Sequence, residues 1–571
     1  MTVDQQAATG RETEGSSADS YKWVALFNVT LGVLMATIDS SITLIAMPDI
    51  FRGIKLNPLV PGNSFYLLWM ILGFLIVSSV LVVSLGRLGD MYGRVKMYNL
   101  GFLVYTVSSL LLTIDWMTGR SGALWLIVMR IVQGIGAAFI IANSAAILTD
   151  AFPSNQRGLA LGINNVAGIS GSFIGLILGG LLAPISWRLV FLISVPIGAL
   201  GTAWAYLKLR ETAARRPARI DWWGNVTFAA GLILVMVGIT YGIEPYGHQT
   251  MGWSSPRVIS ELGAGVALLV AFGIIETRVE NPMFRLPLFK IKAFTFGTLS
   301  TFLSAVGRGG LMFMLIIWLQ GIWLPQHGYS FSQTPLWAGI YMLPLTLGFL
   351  LAGPVSGYLS DRYGARPFAT GGMLAAALSF VLLELLPINF PYVLFALLLL
   401  LNGLGMGAFA SPNRAGVMNS LPPTDRGAGG GMNSTFQNSA QVLSIGIFFT
   451  LMILGLSSSL PASLEQGLTS HGVNPSVAHQ VAHLPPVSVL FAAFLGYNPI
   501  QRLLPAQALH SVSQSNYATL TGRSFFSSLI SRPFQSGLHE AFLFAILACL
   551  VAAAASWSRG RRYVHEGGTE S

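Results

Sequence analysis

The sequence predicts an all-α polytopic membrane protein: two related halves of six helices with two extra helices between them. Three observations carry this. Apolar stretches of the length needed to cross a bilayer, about 20 residues, recur fourteen times along the 571 residues. Hydrophobic residues make up 53% of the chain and charged residues only 9%, where soluble domains carry roughly a quarter charged residues. A polar loop containing Gly and Asp follows the second stretch, at 86–96, and returns at the matching place in the second half, at 357–366.

The elements follow in order. Residues 1–21 are polar and rich in Gly, Ser, Thr and Glu, and read as a disordered cytoplasmic tail. The first apolar stretch, 22–47, is too long for a signal-peptide core and lacks a small-residue cleavage pattern, so it is kept as a helix. Stretches at 62–86, 97–115, 122–148, 158–183 and 188–209 complete an N-terminal half, 22–209. A linker, 210–292, has a basic start and holds the two extra spans, 222–243 and 257–275. Its end, 281–290, alternates apolar and basic residues and fits either an interfacial segment or a plain connector. The C-terminal half, 293–557, holds spans at 293–321, 334–357, 367–386, 391–413, 428–456 and 536–557. Between its last two spans lies an outer loop, 457–535, and residues 558–571 form a second cytoplasmic tail. The loop's apolar run, 487–495, is too short to cross, and the loop is expected to fold back onto the bundle.

The net charge of +10 is a topology signal. Lys and Arg concentrate in alternate connections, as cytoplasmic loops require. That places both termini in the cytoplasm of a cell (inner) membrane protein and removes the nucleic-acid reading. The one cysteine, Cys549, excludes a disulfide within the chain and disfavours a thiolate metal site. His471, His479, His483 and His510 are irregularly spaced and read as solvated loop residues, so neither a metal nor a cofactor is expected. No phosphate-cradling glycine loop suggests ATP hydrolysis.

Within the spans, Asp39 is the acid of greatest weight, because a carboxylate inside a membrane helix is costly and usually functional. It lies eight residues before Met47, and Arg130 lies eight after Gly122 on an oppositely directed helix. At 1.5 Å per residue both sit about 12 Å from the same end, so the two can meet. Burial favours the neutral acid and a nearby arginine the ionised one, a balance suited to proton coupling. A fixed pair locking two helices is the alternative. Arg308 is the second basic residue within a span, able to face a cavity or to pair with an acid such as Glu384. Gln133 is a candidate for the cavity wall, and Asn164, Asn165, Asn433, Gln437, Asn438 and Gln441 are candidates for the cavity wall or for helix–helix hydrogen bonds. Gly171, Gly175, Gly179 and Gly180 permit close approach of a neighbouring helix.

In the two loops the glycines permit tight turns and the aspartates suit a helix N-terminus. Gly86, Leu88, Asp90, Gly93 and Arg94 resemble the signature loop of the major facilitator superfamily, and Gly357, Leu359, Asp361, Gly364 and Arg366 repeat it. The run 130–137 resembles the fourth-helix arginine motif of proton-linked exporters, and 171–180 the fifth-helix antiporter motif. Ile38-Asp39-Ser40-Ser41 with Ala46-Met47-Pro48 resembles the first-helix motif of the fourteen-helix drug:proton antiporters. Leu176 and Leu44 stand where these motifs usually carry proline and asparagine. The resemblance implies the major facilitator fold, with a gate at Gly86, Asp90, Gly93, Arg94, Gly357, Asp361, Gly364 and Arg366. It also implies a monomer that exchanges protons for small amphiphilic molecules. An exporter of an endogenous lipid-like or metabolite substrate is the nearest alternative. A membrane enzyme using His471 and Glu465 of the outer loop is a more distant one.

Overall fold

A computed structural model describes residues 3–57, 60, 62–153, 156–211, 221–247, 249–280, 282–422, 425–495, 498 and 500–560. Among these residues all regular structure is helical, apart from one isolated bridge between Tyr246 and Gln249. Among the described residues fourteen helices are long and apolar enough to cross a membrane. Spans 1–6 are Ser20–Gly53, Ser64–Tyr92, Arg94–Thr113, Gly119–Ala151, Leu159–Leu182 and Trp187–Lys208. Spans 7 and 8 are Trp222–Ile243 and Pro256–Glu276. Spans 9–14 are Lys292–Gln326, Thr334–Ser360, Ala365–Glu384, Tyr392–Asn419, Ala428–Thr469 and Arg523–Ser558.

Helices are what the composition demands, since a backbone in lipid must pair every N–H and C=O internally. Hydroxyls on the spans are largely satisfied by their own helix. Ser108 donates to the Val104 carbonyl at 2.9 Å, Ser144 to Ile140 at 2.6 Å and Thr240 to Met236 at 2.8 Å. Tracing the chain back and forth puts the loops around Gly93 and Gly364 on one side, here the signature face. Residues 470–495 and 500–522 lie on the other side, the cap face.

Span 5 packs along span 1 through its glycines. A Cβ added at Gly171 would sit 2.9 Å from the Leu34 carbonyl oxygen, and one at Gly179 2.9 Å from that of Ile42. One at Gly175 would overlap the Ile38 carbonyl and the Ser41 hydroxyl. The glycine ladder thus replaces side chains with direct backbone approach over three turns. The two halves close against each other at the cap face. Gly180 meets the backbone of Leu336, a Cβ on Gly339 would lie 3.1 Å from the Leu176 carbonyl, and Gln320 donates to the Ile45 carbonyl at 3.3 Å. Nearer the signature face, Leu159, Ile163 and Val166 of span 5 are exposed.

The extra pair packs together and docks through span 7 onto the seam between the halves. Asn225 bonds Ser84 of span 2, and Ile239 packs on Gly446 of span 13. On span 8, Ile259, Val266, Val270 and Ile274 remain exposed, as suits a lipid-facing peripheral helix.

Two expectations are corrected, and one open reading is decided. The tail, expected to be disordered, continues the first helix back to Val3, since extending an existing helix is far easier than starting one. The outer loop is shorter than 457–535. Span 13 runs on to Thr469 and span 14 begins at Arg523. Leu460, Leu464 and Leu468 form one buried stripe and Phe526, Ile530 and Phe534 another, the helical period expected of two packed amphipathic arms. The segment after Asn281 is a connector folded into the bundle, with Met283, Phe284 and Leu288 buried and a short 3-10 turn at Leu286–Lys290.

The apolar run at 487–495 does fold back. Helices Pro475–Ala482 and Pro486–Phe494 meet at 87°, and every residue of the second is buried. Phe494 lies 5.4 Å from Phe313 of span 9 and Phe491 lies 5.5 Å from Phe449 of span 13. Beside them span 9 winds through a π-helical turn, Trp318–Trp323, an irregularity common near functional sites.

Candidate functional site

Spans 1 and 4 bring Asp39 and Arg130 into a direct ion pair, at 0% and 1% exposure. The equal depths read from the sequence are therefore real. Arg130 is held on several sides: its Nη1 donates to the Gln133 side-chain oxygen at 2.6 Å, its Nε points to the Met70 carbonyl at 3.4 Å, and its guanidinium lies 4.3 Å from the centre of the Phe74 ring. Gln133 Nε2 donates to Asp39 Oδ1 at 3.1 Å and to Ser109 Oγ at 2.9 Å. Gln133 is thus a fully buried member of the charged network and not part of an open cavity wall, a correction to the sequence reading. Its spacing, one turn from Arg130, was the available signal. Ser109, on span 3, carried none.

A buried pair of this kind contributes little to stability against an apolar replacement, but it is costly to break on one side only. Its charge state and its helix packing are therefore linked.

The signature loops repeat in backbone and differ in chemistry. Gly93 and Gly364 take φ of +115° and +85°, conformations that favour glycine. In the first loop Arg94 Nε donates to Asp90 at 2.8 Å, and Arg94 Nη1 donates to both Asp150 oxygens at 2.7 Å. Asp90, in the last turn of span 2, thus pairs with the side chain of Arg94, the first residue of span 3. Asp150, at the end of span 4, went unnoticed in the sequence because nothing local marks a contact 56 residues away. In the second loop the residue after Gly364 is Ala365, and Arg366 instead stacks 3.6 Å from the centre of the Trp557 ring, its Nε without a hydrogen-bond partner among the described residues. The Asp361 side chain lies outside the described residues. Arg559 lies against Gly416 near Ala365, with all three guanidinium nitrogens buried and without a partner among the described residues, and burial lowers its pKa to about 10. Gly86 and Gly357 approach Ala142 and Ser411 of the neighbouring helices.

Asp150→Asn is expected to slow transport more than Asp90→Asn: Arg94 contacts both carboxylates at 2.7–2.8 Å, but Asp150 is 20% exposed and Asp90 39%, so solvent screens the Asp150 pair less. Transport rates normalised to membrane-inserted protein measure this. A larger loss in Asp90→Asn would contradict the ranking.

Arg308 is half-buried in span 9, 5.9 Å from the centre of the Phe349 ring, with no hydrogen bond or ion pair among the described residues. It does not meet Glu384, which pairs with His539 at 2.7 Å. Asn165 is exposed, Asn164, Gln437 and Asn438 are half-buried, and Asn433 is buried. The cap histidines are engaged locally: His471 with the Gly467 carbonyl and the Phe525 ring, His479 with Glu465 at 3.6 Å. Among the described residues no three His, Cys, Asp or Glu side chains are grouped as metal ligands. A cavity of about 390 Å³ lies elsewhere, near the cap-face ends of spans 7 and 8, lined by Tyr241, Glu244 and Arg257.

The sequence model of the Major Facilitator Superfamily matches residues 29–307 and 297–561. The chain belongs to the Major Facilitator Superfamily. With fourteen candidate spans it is of the family's fourteen-helix type, a multi-pass membrane transporter and not an enzyme. It is 27% identical to the riboflavin transporter RibZ of Clostridioides difficile over 76% of this chain and 89% of the relative. It is 26% identical to the tetracenomycin C resistance and export protein of Streptomyces glaucescens, over 95% and 92% of the two chains. Among solved structures it resembles a bacterial homologue of the lysosomal transporter Spinster, with a TM-score of 0.55 at 15% identity, covering 94% of this chain and 97% of that one. At that identity the structural likeness concerns the fold of the superfamily alone.

Proposed function

We propose that this Major Facilitator Superfamily member is a proton-coupled exporter of small amphiphilic molecules in the cell membrane, working by alternating access. The observation that carries the reading is the sealed Asp39–Arg130–Gln133 network between spans 1 and 4. With the halves closed at the cap face, neither proton nor substrate reaches Asp39. Rocking the halves apart there exposes it to the outer proton pool. Protonation neutralises Asp39 and releases Arg130; return to the inward-facing state discharges the proton. The proton's electrical work is about 2.3 kcal/mol per 100 mV. Arg308, Asn164, Asn165, Asn433, Gln437 and Asn438 are proposed to contact the substrate between the halves, and the Asp90–Arg94–Asp150 cluster to hold the cytoplasmic gate. Relatives named for tetracenomycin export and multidrug resistance support a drug-like amphiphile; the one named a riboflavin transporter supports a metabolite.

The test is flux in proteoliposomes under an imposed pH step, against a panel of lipophilic cations, anions, neutral drugs and flavins. Accumulation of any member that follows the pH gradient supports the proposal. Gradient-independent flux of all transported members contradicts it.

The basic signature face is proposed as cytoplasmic, with both termini there. Because Cys549 is the only cysteine and is buried, single cysteines introduced at exposed sites report sidedness in a Cys549→Ala background. A cysteine at Gln514 is expected to react with an impermeant maleimide on intact cells, and one at Lys96 only after permeabilisation. The reverse pattern inverts the topology.

A further inference from the structure

The extra helices carry a carboxyl pair that the exchange reaction above does not use. Asp221 caps the start of span 7, its Oδ1 accepting the Gly224 N–H at 2.8 Å. Glu276 ends span 8, its Oε2 accepting the Phe284 N–H at 2.6 Å. Their side chains are 5% and 4% exposed. The remaining oxygens, Asp221 Oδ2 and Glu276 Oε1, are also buried and meet no N–H or O–H donor among the described residues. They lie side by side, both crowding the position a Cβ on Gly224 would take, with Glu276 Oε1 2.6 Å from it.

Two buried carboxyl groups in contact cannot both ionise, and the stable arrangement holds one proton between them. We propose that Asp221 and Glu276 form a second proton-binding site, at the base of the extra helices, which fastens those helices to both halves of the transporter. The fastening is visible on each side. Arg87 of span 2 bonds the Pro282 carbonyl and faces both acids, together with Asp90 and Arg285. The connector after Pro282 then crosses to span 13: Arg285 pairs with Asp425, and the Phe284 ring lies 5.6 Å from that of Phe436. Arg278 and Glu280, on the turn after Glu276, are exposed. With one shared proton, the pair carries a single negative charge opposite Arg87. Loss of that proton leaves two anions in contact in a dry site, so one of them must move and the joint between the halves loosens. The site lies at the signature face and so senses proton activity there, apart from the Asp39 network.

Infrared difference spectra of the purified full-length protein test this without any substrate, so the outcome is independent of the exchange reaction. Asn and Gln replacements keep an oxygen for the Gly224 and Phe284 N–H groups, so the local fold is retained. Wild type minus Glu276→Gln is expected to show a protonated-carboxyl band at neutral pH that is lost on alkaline titration. Wild type minus Asp221→Asn is expected to show the same band, since the proton belongs to the pair. No protonated-carboxyl band in the Glu276→Gln difference overturns the site. A band that Asp221→Asn leaves intact overturns the sharing.

Discussion

Arg130→Ala is expected to destabilise the purified protein by about 3–5 kcal/mol, the cost of leaving a buried charge without its partner. The carboxylate of Asp39 would keep one neutral hydrogen bond, from Gln133, in place of the guanidinium. Arg130→Lys should recover only part of the loss, because an ammonium cannot bond Asp39, Gln133 and the Met70 carbonyl from one planar fork. The double variant Asp39→Asn with Arg130→Met removes both charges. It should regain much of the thermal stability while transport stays lost, which separates the network's structural part from its functional one. If the double variant transports with a proton gradient, the network is only a helix lock. Thermal midpoints and gradient-driven flux on the same preparations decide the matter.

Gly175→Val is expected to be as damaging by a different route. Its side chain would meet the Ile38 carbonyl, which is backbone in the middle of span 1 and has no rotamer to change. Overpacking of a well-filled contact costs about 1–3 kcal/mol even where side chains can yield. Spans 1 and 5 would be forced apart along the ladder of Gly171, Gly175 and Gly179, and Asp39 lies one residue beyond Ile38. Loss of folded transporter, or of activity per folded molecule, is the expected result. Gly162→Val on the same helix serves as control, since nothing lies within 4 Å of its Cβ position. Equal behaviour of the two variants would show that the ladder is not a tight contact.

Much of this was legible in the sequence because the bilayer imposes a length. All fourteen spans overlap the apolar stretches that predicted them. The Asp39–Arg130 pair was legible for a related reason, as two rare charges at equal depth on opposed helices have few other partners. The glycine spacing in span 5 was legible as close packing, though not that span 1 was the partner. What stayed hidden was what bilayer length does not constrain. The arms around the cap are helical because Leu460, Leu464, Leu468 and Phe526, Ile530, Phe534 repeat every four residues, a period that a search for 20-residue apolar runs passes over. Asp150 and the Asp221–Glu276 pair sit at helix ends, where acids usually face water, and only the folded chain shows what they meet. The second signature loop looked equivalent to the first because Arg366 lies within two residues of Gly364. One position of displacement turns its guanidinium onto Trp557 and leaves the loop without the counterpart of Arg94.

The most direct measurement of the central claim is proton release on substrate binding, followed with a pH indicator in weakly buffered detergent solution. It uses whichever compound of the panel is transported. Wild type, poised at a pH where Asp39 carries its proton in the outward-facing state, should release protons as substrate binds and Asp39 returns to Arg130. Asp39→Asn should bind the same compound and release none. Undiminished proton release from Asp39→Asn would contradict the account and place the coupling site elsewhere in the protein.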